Sequence, residues 1–500
     1  MAATHYISAD LACVYDRNSA PKALLTTLAW GDPVEVLETG SKFVKIGLTV
    51  FRELGDGSHE PQSVEGFILA DPAKAVRPLA QNRVLKVDFV DVQQGDAAVL
   101  ETPGGKVMTI DGGDNNLFAR YLAARYSGTS AAQPRDIDCM LISHGDSDHS
   151  AGLASILQSE KHATANKRAF IQPRRLYHNG LVKRPDSNRK ETEMLGPTAE
   201  LDGALYCTDL EDDLRQTDSG EMNQIFRALQ TALKTYGERG DLKVQRIEHG
   251  DDACFQFLSD NEPVPLRVQV LGPITHGVNG GKGLKFLRQP GTAPRLENES
   301  LSVEPPAHGE YSASHTINGH SVVLRFTYGK FAFLFAGDLN AESEKFLTQA
   351  HRNGELDLNS EVLKVPHHGS SDFSAAFLCA VSPAVSIVSS GDESERKEYV
   401  HPRANLMGAL GKYSRLAEPL IFVTELVAFF KMVGWAAPTE ANTARRFFAF
   451  ERSAFGIVKL RTDGDRLMVY TNSGLAKLKE AYAFTKDATG RLVPAKVAFA

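Results

Sequence analysis

Residues able to ligate a metal follow several apolar runs in this sequence, and that repetition constrains the fold more than any other feature. Asp111 follows KVMTI, His144 follows CMLIS, Asp338 follows FLFAG, and His367 and His368 follow VLKVP. Because polar tips at strand ends meet on one rim of an open sheet, we expect these side chains to lie together. Each cluster alone is equally typical of a turn or a surface pair. The whole ordered set favours one site.

The stretch SHGDSDHSAGL (143–153) concentrates the candidate ligands. His144, Asp146, Asp148 and His149 occupy six positions, directly after an apolar run. Imidazole and carboxylate donors without thiolates suit divalent ions such as Mn²⁺, Mg²⁺ and Zn²⁺. The five cysteines are far apart and form no CxxC pair, so the sequence indicates neither a thiolate zinc site nor a disulfide framework.

Composition indicates an ordinary globular protein, with 42% hydrophobic and 23% charged residues in 500. This length predicts two or more domains, or one fold with insertions. The N-terminus lacks the features of a signal peptide, so we expect a cytoplasmic protein. The run LIFVTELVAFFKMVGWAA (420–437) is long and apolar, but Glu425 and Lys431 interrupt it. We interpret it as a buried helix and expect no membrane association.

Two regions differ in pattern. Residues 1–80 read as short strands separated by turns, and the closing run Gly66-Phe67-Ile68 resembles that of a bacterial SH3-like barrel. Residues 83–500 alternate strands with helices, which predicts layered α/β packing. Two polar stretches, near 179–222 and 276–316, look like insertions, and the second predicts an irregular loop.

From about 84 to 470 the order of motifs resembles the metallo-β-lactamase fold and, within it, the hydrolase domain of the ComEC-type competence proteins, which take up DNA. The resemblance is carried by FVDVQQGDAAVL (89–100) with TIDGG (109–113), SHGDSDHSAGL, NGHSVVLRFTYGKFAFLFAGDL (318–339) and LKVPHHGS (363–370). His401-Pro402 matches a further element. The resemblance implies an α/β fold, a four-layer αββα sandwich preceded by the small all-β SH3-like barrel. It does not imply transport.

The resemblance also implies a two-ion site, with Mn²⁺ or Zn²⁺ favoured and Mg²⁺ also suitable. His144 and Asp146 would hold one ion, Asp148 and His149 the other, and Asp338 would bridge them. Either His367 or His368 would complete the second ion's ligands, and the following glycine favours His368. The third ligand of the first ion stays open between Asn318, His320, His178 and water.

Other residues have both a functional and a structural interpretation. Asp148 would orient the hydroxide shared by the two ions, which is the nucleophile. Asp111 would orient ligands, or is a plain turn aspartate. His401 would act as general acid or phosphate clamp, or is a structural His-Pro pair. Ser370 would contact phosphate, or caps a turn.

The expected substrate follows from two features: differences from the metal motifs of other branches of the fold, and the local charge near the motif. Asp146 argues against the histidine-rich lactamase and glyoxalase patterns, and no glutamate of the diiron branch is present. Residues 161–190 contain nine basic residues and one acidic residue, so Arg174 and Arg175 would contact a phosphate backbone, or form part of a solvated face.

We therefore predict a metal-dependent phosphodiester hydrolase, a nuclease acting on DNA. The alternative is a phosphodiesterase for a small molecule, such as a cyclic nucleotide or a phosphocholine-like ester. A third hypothesis is a scaffold whose SH3-like region binds a protein partner and whose metal site is vestigial.

Overall fold

The computed structural model describes residues 3–53, 59–186, 189–289, 309–391, 401–427, 429–435, 448–454, 456–471 and 480–500. It is a mixed α/β structure, as the alternation of strands and helices predicts. Its largest sheets have seven, ten and six strands.

The first sheet is formed by the N-terminal residues and is antiparallel throughout. Its strand order is β3-β2-β6-β5-β4-β1-β7, and alternate residues such as Val14, Val44 and Ile46 face a small core of their own. Alternation of this kind is typical of strands with one buried face. The elements are β1 His5–Ile7, β2 Leu11–Tyr15, β3 Leu24–Ala29, β4 Pro33–Thr39, β5 Val44–Glu53, β6 His59–Ile68, α1 Pro72–Ala75 and β7 Val76–Pro78.

The next part of the chain supplies most of the ten-stranded sheet and the helices that cover it. Strands β10, β12, β14 and β17 are parallel neighbours, so their carboxyl ends share one rim. The elements are β8 Leu85–Val90, β9 Ala98–Glu101, β10 Val107–Ile110, α2 Leu117–Arg125, β11 Arg135–Ile137, β12 Cys139–Leu141, α3 Ser147–Ser159, β13 Ile171–Pro173, β14 Arg175–His178, β15 Thr198–Leu201, β16 Ala204–Cys207, α4 Gln224–Arg239 and β17 Lys243–Arg246.

The six-stranded sheet has the order β18-β21-β22-β23-β24-β25, and its last four strands are parallel. The ends of β22 and β23 therefore also share a rim. The elements are β18 Leu266–Gly272, β19 His276–Val278, β20 Gly281–Lys285, α5 Ala313–Gly319, β21 Val323–Tyr328, β22 Phe331–Phe335, α6 Ala341–Arg352, β23 Val362–Lys364, α7 Ala375–Val381, β24 Val385–Val388, α8 Ala404–Tyr413 and β25 Leu420–Val423.

The C-terminal strands complete the ten-stranded sheet, whose order is β17-β14-β12-β10-β9-β8-β28-β29-β30-β31. Strands β28 and β29 pair around the Asp463-Gly464-Asp465 turn, as the sequence predicts. The elements are β26 Phe429–Trp435, β27 Phe448–Ala454, β28 Ile457–Thr462, β29 Arg466–Thr471, β30 Ala481–Lys486 and β31 Leu492–Ala495.

Three buried clusters show how these two sheets pack. One lies between them, where the rings of Phe89 and Phe335 stack with centroids 5.3 Å apart. The second joins the other face of the ten-stranded sheet to α2, α3 and α4. The third joins the other face of the six-stranded sheet to α6, α7 and α8. The rims that carry the candidate ligands therefore face each other across the central cluster.

The prediction of a buried helix over residues 420–437 is wrong. Leu420–Val423 is strand β25, which pairs in parallel with β24, and Phe429–Trp435 is strand β26, which pairs with β27. A short apolar run rich in β-branched and aromatic residues fits a strand or a buried helix equally well, and here the open edge of β24 decides. No helix among the described residues is long and apolar enough to cross a membrane.

The prediction of an irregular loop near residues 276–316 is also partly wrong. Strands β19 and β20 form a hairpin around Asn279 and Gly280, both with positive φ, and β20 pairs with β16. Positive φ at both turn positions is the geometry for which Asn-Gly is preferred. The two stretches interpreted as insertions thus meet in one four-stranded sheet, β15-β16-β20-β19. Residues 290–308 lie outside the described residues.

Candidate metal centre

The HGDSDH motif lies where strand β12 gives way to helix α3. The helix starts inside the motif, at Ser147, with Asp146 at its N-cap, so Asp148 and His149 lie in its first turn. Two backbone hydrogen bonds hold this turn against the loop after β10: Gly112 N donates to His149 O, and Gly152 N donates to Gly113 O. The motif is therefore held by regular structure on both sides.

Asp111, at the end of β10, fixes the orientation of His149. Asp111 Oδ2 lies 2.8 Å from His149 Nδ1 and accepts a hydrogen bond from Ser143 Oγ, while Oδ1 accepts one from Ser143 N. All three residues are buried. A carboxylate on Nδ1 leaves Nε2 free to bind a metal. This environment supports the orienting role over the plain turn aspartate.

His368 has a matching arrangement on the opposite sheet. Its Nδ1 donates to Ser389 O at 3.0 Å, and its Nε2 lies 3.1 Å from Asp338 Oδ2 and 3.3 Å from Asp148 Oδ2. Both His367 and His368 have positive φ, and their ring centroids are 6.3 Å apart with an interplanar angle of 73°. His367 Nε2 lies beside the Asn318 side chain, whereas His368 belongs to a group of possible metal ligands. The structure thus brings His368, not His367, to the cluster.

Asp338, after strand β22, spans the two imidazoles. Its Oδ1 lies 3.1 Å from His149 Nε2, and its Oδ2 lies the same distance from His368 Nε2. Gly337 has a φ of 50°, and a Cβ there would lie 2.6 Å from the Cβ of Ser321. Only glycine therefore permits this approach, which places a carboxylate between two ring nitrogens as a bridging ligand requires.

Two overlapping sets of donor atoms could each hold a metal ion, because the atoms within each set lie within 4.8 Å of one another. One is His144, Asp148 and His149; the other is Asp96, His149, Asp338 and His368. Burial lowers the pKa of His144 to about 3, which keeps the ring neutral, as a metal ligand must be.

The charges of the cluster fit a cation. Burial opposes protonation of His149 and His368, yet Asp338 and the neighbouring acids raise the pKa of both rings well above the usual histidine value. Acids that draw protons onto buried imidazoles mark a position where positive charge is favourable. A divalent ion ligated by the two Nε2 atoms would supply that charge.

Asp146 does not belong to either donor set. Its Oδ1 lies 3.9 Å from Lys183 Nζ. Its Oδ2 accepts a hydrogen bond of 2.9 Å from the amide nitrogen of Asn318, and the amide oxygen of Asn318 then faces His367 Nε2. Burial raises the pKa of Asp146 to about 6. The structure groups Asp148, rather than Asp146, with His144; the ligand role of Asp146 stays a prediction.

The remaining candidates lie at different distances from the cluster. The ring of His401 lies near that of His367, with centroids 6.0 Å apart and an interplanar angle of 49°, and burial lowers the pKa of His401 to about 4. Ser370 Oγ accepts a hydrogen bond from Asp372 N, which supports the turn-capping interpretation. His320 Nε2 donates to Lys285 O, and His178 Nδ1 accepts from Gly180 N; neither ring belongs to a donor set.

Arg174 and Arg175 are not brought to the site. They lie at the amino end of β14, whereas the cluster lies at the carboxyl ends of β10 and β12, which run parallel to it. Arg174 pairs with Asp136 at 2.9 Å, and the guanidinium of Arg175 lies 4.0 Å from the Phe257 ring centroid. The direction of a parallel strand, which local charge does not reveal, separates them from the cluster.

The structure adds residues that sequence reasoning missed. Asp96, two residues before β9, forms a buried ion pair with Lys364 and lies 3.3 Å from His368 Nδ1. Gln94 Nε2 donates to Asp148 Oδ2. A signal existed for Asp96, because β9 runs antiparallel to β10 and its first residue, Ala98, pairs with Ile110. The residues just before β9 therefore lie near the end of β10.

Comparison with known proteins covers a small part of the chain. No family model matches it. A stretch of 86 residues is 41% identical to the protein named competence protein ComA of Neisseria gonorrhoeae, and the match covers 17% of this chain and 12% of that protein. The chain is thus similar to a competence protein over one segment only.

Proposed function

We propose that this protein is a metal-dependent phosphodiester hydrolase and that its substrate is DNA. The observation that carries this proposal is the convergence of His149 Nε2, His368 Nε2 and the Asp338 carboxylate on one buried point between two sheets. The layer order of helices, sheet, sheet and helices supports assignment to the metallo-β-lactamase fold.

The N-terminal sheet supports an SH3-like barrel of residues 1–80, with residues 83–500 as the hydrolase domain. Its seven antiparallel strands surround a separate small core. We propose that this region recruits a protein partner and takes no part in hydrolysis, because every candidate ligand lies beyond it in the chain.

The donor set suits Mn²⁺ or Zn²⁺, and also Mg²⁺, because it contains only imidazole and carboxylate groups. Two such ions, when bound, would activate water and neutralise charge on a phosphate. The chain's own residues orient this chemistry. Asp111 holds His149 through Nδ1, and Gln94 holds Asp148 in place. His401, beside His367, would contact a phosphate oxygen, and Ser370 would donate its hydroxyl proton to another while its Oγ caps the turn.

Similarity to a competence protein supports DNA over a small diester, although it covers only one segment. Lys183 adds a cation at the edge of the cluster, 2.7 Å from Ser314 Oγ and 3.9 Å from Asp146 Oδ1. A cation there would contact a neighbouring phosphate of a polymer. A single phosphodiester offers no such neighbour.

The test is hydrolysis of linear single-stranded DNA, double-stranded DNA and bis-p-nitrophenyl phosphate. Metal-stripped protein would be assayed alone and with Mn²⁺, Mg²⁺ or Zn²⁺ restored, beside His149→Ala and Asp338→Ala. The matched controls are His249→Ala and Asp241→Ala, whose residues are exposed and outside the cluster.

We expect metal-dependent cleavage of DNA that both cluster variants lose and both controls keep. Turnover of the small diester alone would replace DNA with a small-molecule substrate. Metal binding without turnover of any substrate would contradict the hydrolase proposal and favour the scaffold hypothesis.

A further inference from the structure

A cleft beside the metal cluster has no role in the chemistry described above. It has a volume of about 230 Å³ and lies between the end of β18, the start of β21 and helix α6. An apolar cavity of about 150 Å³ holds a benzene ring. The cleft therefore has room for a purine or a pyrimidine.

The cleft and the cluster share a wall. Ser321 lines the cleft, while its Oγ accepts a hydrogen bond from Asp338 N at 3.0 Å and lies 3.3 Å from His144 Nδ1. Leu339, directly after Asp338, lines the cleft as well. The cleft and the cluster are therefore neighbours, with Ser321 between them.

A partly exposed aromatic side chain, Phe346, lines the cleft. Phe346 is 42% exposed, whereas most large apolar side chains of the described residues are buried. Its ring lies 5.0 Å from Lys285 Nζ. A half-exposed aromatic ring beside a cation is the platform on which proteins stack single-stranded bases.

Polar groups are available where the edge of a base would lie. Ser343 is 5% exposed, lines the cleft, and its Oγ has no hydrogen-bond partner among the described residues. At the rim, Gln349 donates to Asn353, and Asn353 donates to Glu355. Amide and carboxylate side chains of this kind hydrogen-bond base edges.

We propose that this cleft binds a nucleobase of the substrate, next to the scissile phosphate. The inference rests on the proposed function, because it requires a nucleic-acid substrate at the cluster. Apolar walls and the Phe346 ring would hold the face of the base, and the Ser343 hydroxyl would bond its edge. Hydrolysis would then prefer unpaired DNA, because a base in a duplex cannot enter a cleft.

Binding can be tested without hydrolysis. Saturation-transfer NMR with thymidine and deoxyadenosine, which lack phosphate, would use metal-free wild type, Phe346→Ala, Ser343→Ala and His149→Ala. Leu37→Ala is the matched control, because Leu37 is equally exposed (43%) but lies in the N-terminal sheet.

We expect Phe346→Ala to weaken nucleoside binding at least about 5-fold, and Ser343→Ala to weaken it about 2- to 10-fold. His149→Ala and Leu37→Ala should bind like wild type. No nucleoside signal in wild type at about 10 mM, a concentration that detects millimolar affinity, would overturn the inference, as would equal binding by all variants.

Hydrolysis separates this inference from the proposed function. A single-stranded oligonucleotide would be compared with an oligomer of the same length made of abasic tetrahydrofuran units. Phe346→Ala should raise KM at least about 5-fold for the base-containing strand only. If nucleosides bind but DNA is not hydrolysed, the nucleobase site stands and the nuclease proposal is wrong. If DNA is hydrolysed and Phe346→Ala leaves KM unchanged, only the nucleobase site is wrong.

Discussion

Nε2 of His149 and Nε2 of His368 lie 3.2 Å apart, although 219 positions separate the two residues in the chain. His149 lies in the first turn of helix α3, at the rim of the ten-stranded sheet, and His368 lies in the turn after β23, at the rim of the six-stranded sheet. Their Nδ1 atoms point away from each other, toward Asp111 and Ser389 O. Two imidazoles oriented from behind in this way form a preorganised pair of metal-ligand atoms.

Asp111→Asn is expected to weaken metal binding about 10- to 100-fold, because His149 loses the carboxylate that sets its tautomer. Titration of metal-stripped protein with Mn²⁺ or Zn²⁺ in a calorimeter measures the effect. Asp136→Asn, which removes an exposed carboxylate paired with Arg174, should leave the affinity unchanged. Equal affinity in Asp111→Asn and wild type would show that Asp111 does not orient the ligand.

The buried pair of Asp96 and Lys364 should matter for stability even without metal. Lys364→Met removes the buried cation that pairs with Asp96, and we expect a loss of about 3–5 kcal/mol in the free energy of unfolding. The double variant Asp96→Asn with Lys364→Met should recover part of that loss. Urea unfolding of metal-free protein measures Lys364→Met, Asp96→Asn and the double variant. Additive losses would argue against coupling of the two charges.

Gly152→Ala should be strongly destabilising, by more than about 2 kcal/mol, because the new Cβ would lie 1.8 Å from the backbone oxygen of Gly112. Gly411 in helix α8 is the matched control, since a Cβ there meets nothing within 4 Å. Gly411→Ala should stabilise by about 0.4–1 kcal/mol. Thermal unfolding that ranks the two variants the other way would contradict the packing of α3 on the Gly112 loop.

Stability should fall in acid partly through Glu101. Burial opposes its charge, but Lys86 and Arg125 lower the pKa of Glu101 from 4.5 to about 2. A lowered pKa contributes stability that is present above pH 4.5 and is lost as the pH falls toward 2. The difference corresponds to about 3 kcal/mol. Glu101→Gln should therefore lose more stability at pH 7 than at pH 3, whereas exposed Glu238→Gln should show no such difference in urea unfolding.

The sequence by itself determined which residues lie at strand ends. Periodicity and turn residues located Asp111, His144, Asp338 and the His367-His368 pair after their apolar runs, and the structure confirms a mixed α/β fold with these residues on facing rims. Such features are local, because an apolar run and the polar residue after it follow from neighbours in the chain.

Tertiary structure alone decided which of these side chains meet. The turn after β23 brings His368, and not His367, into the cluster. Arg174 lies away from the cluster because it is at the amino end of a parallel strand. Residues 420–423, expected to be helical, form a strand because they pair with β24. Asp96 joined the cluster only because an antiparallel strand begins beside the end of β10. Strand order and direction are set by contacts between distant segments, which no local pattern encodes.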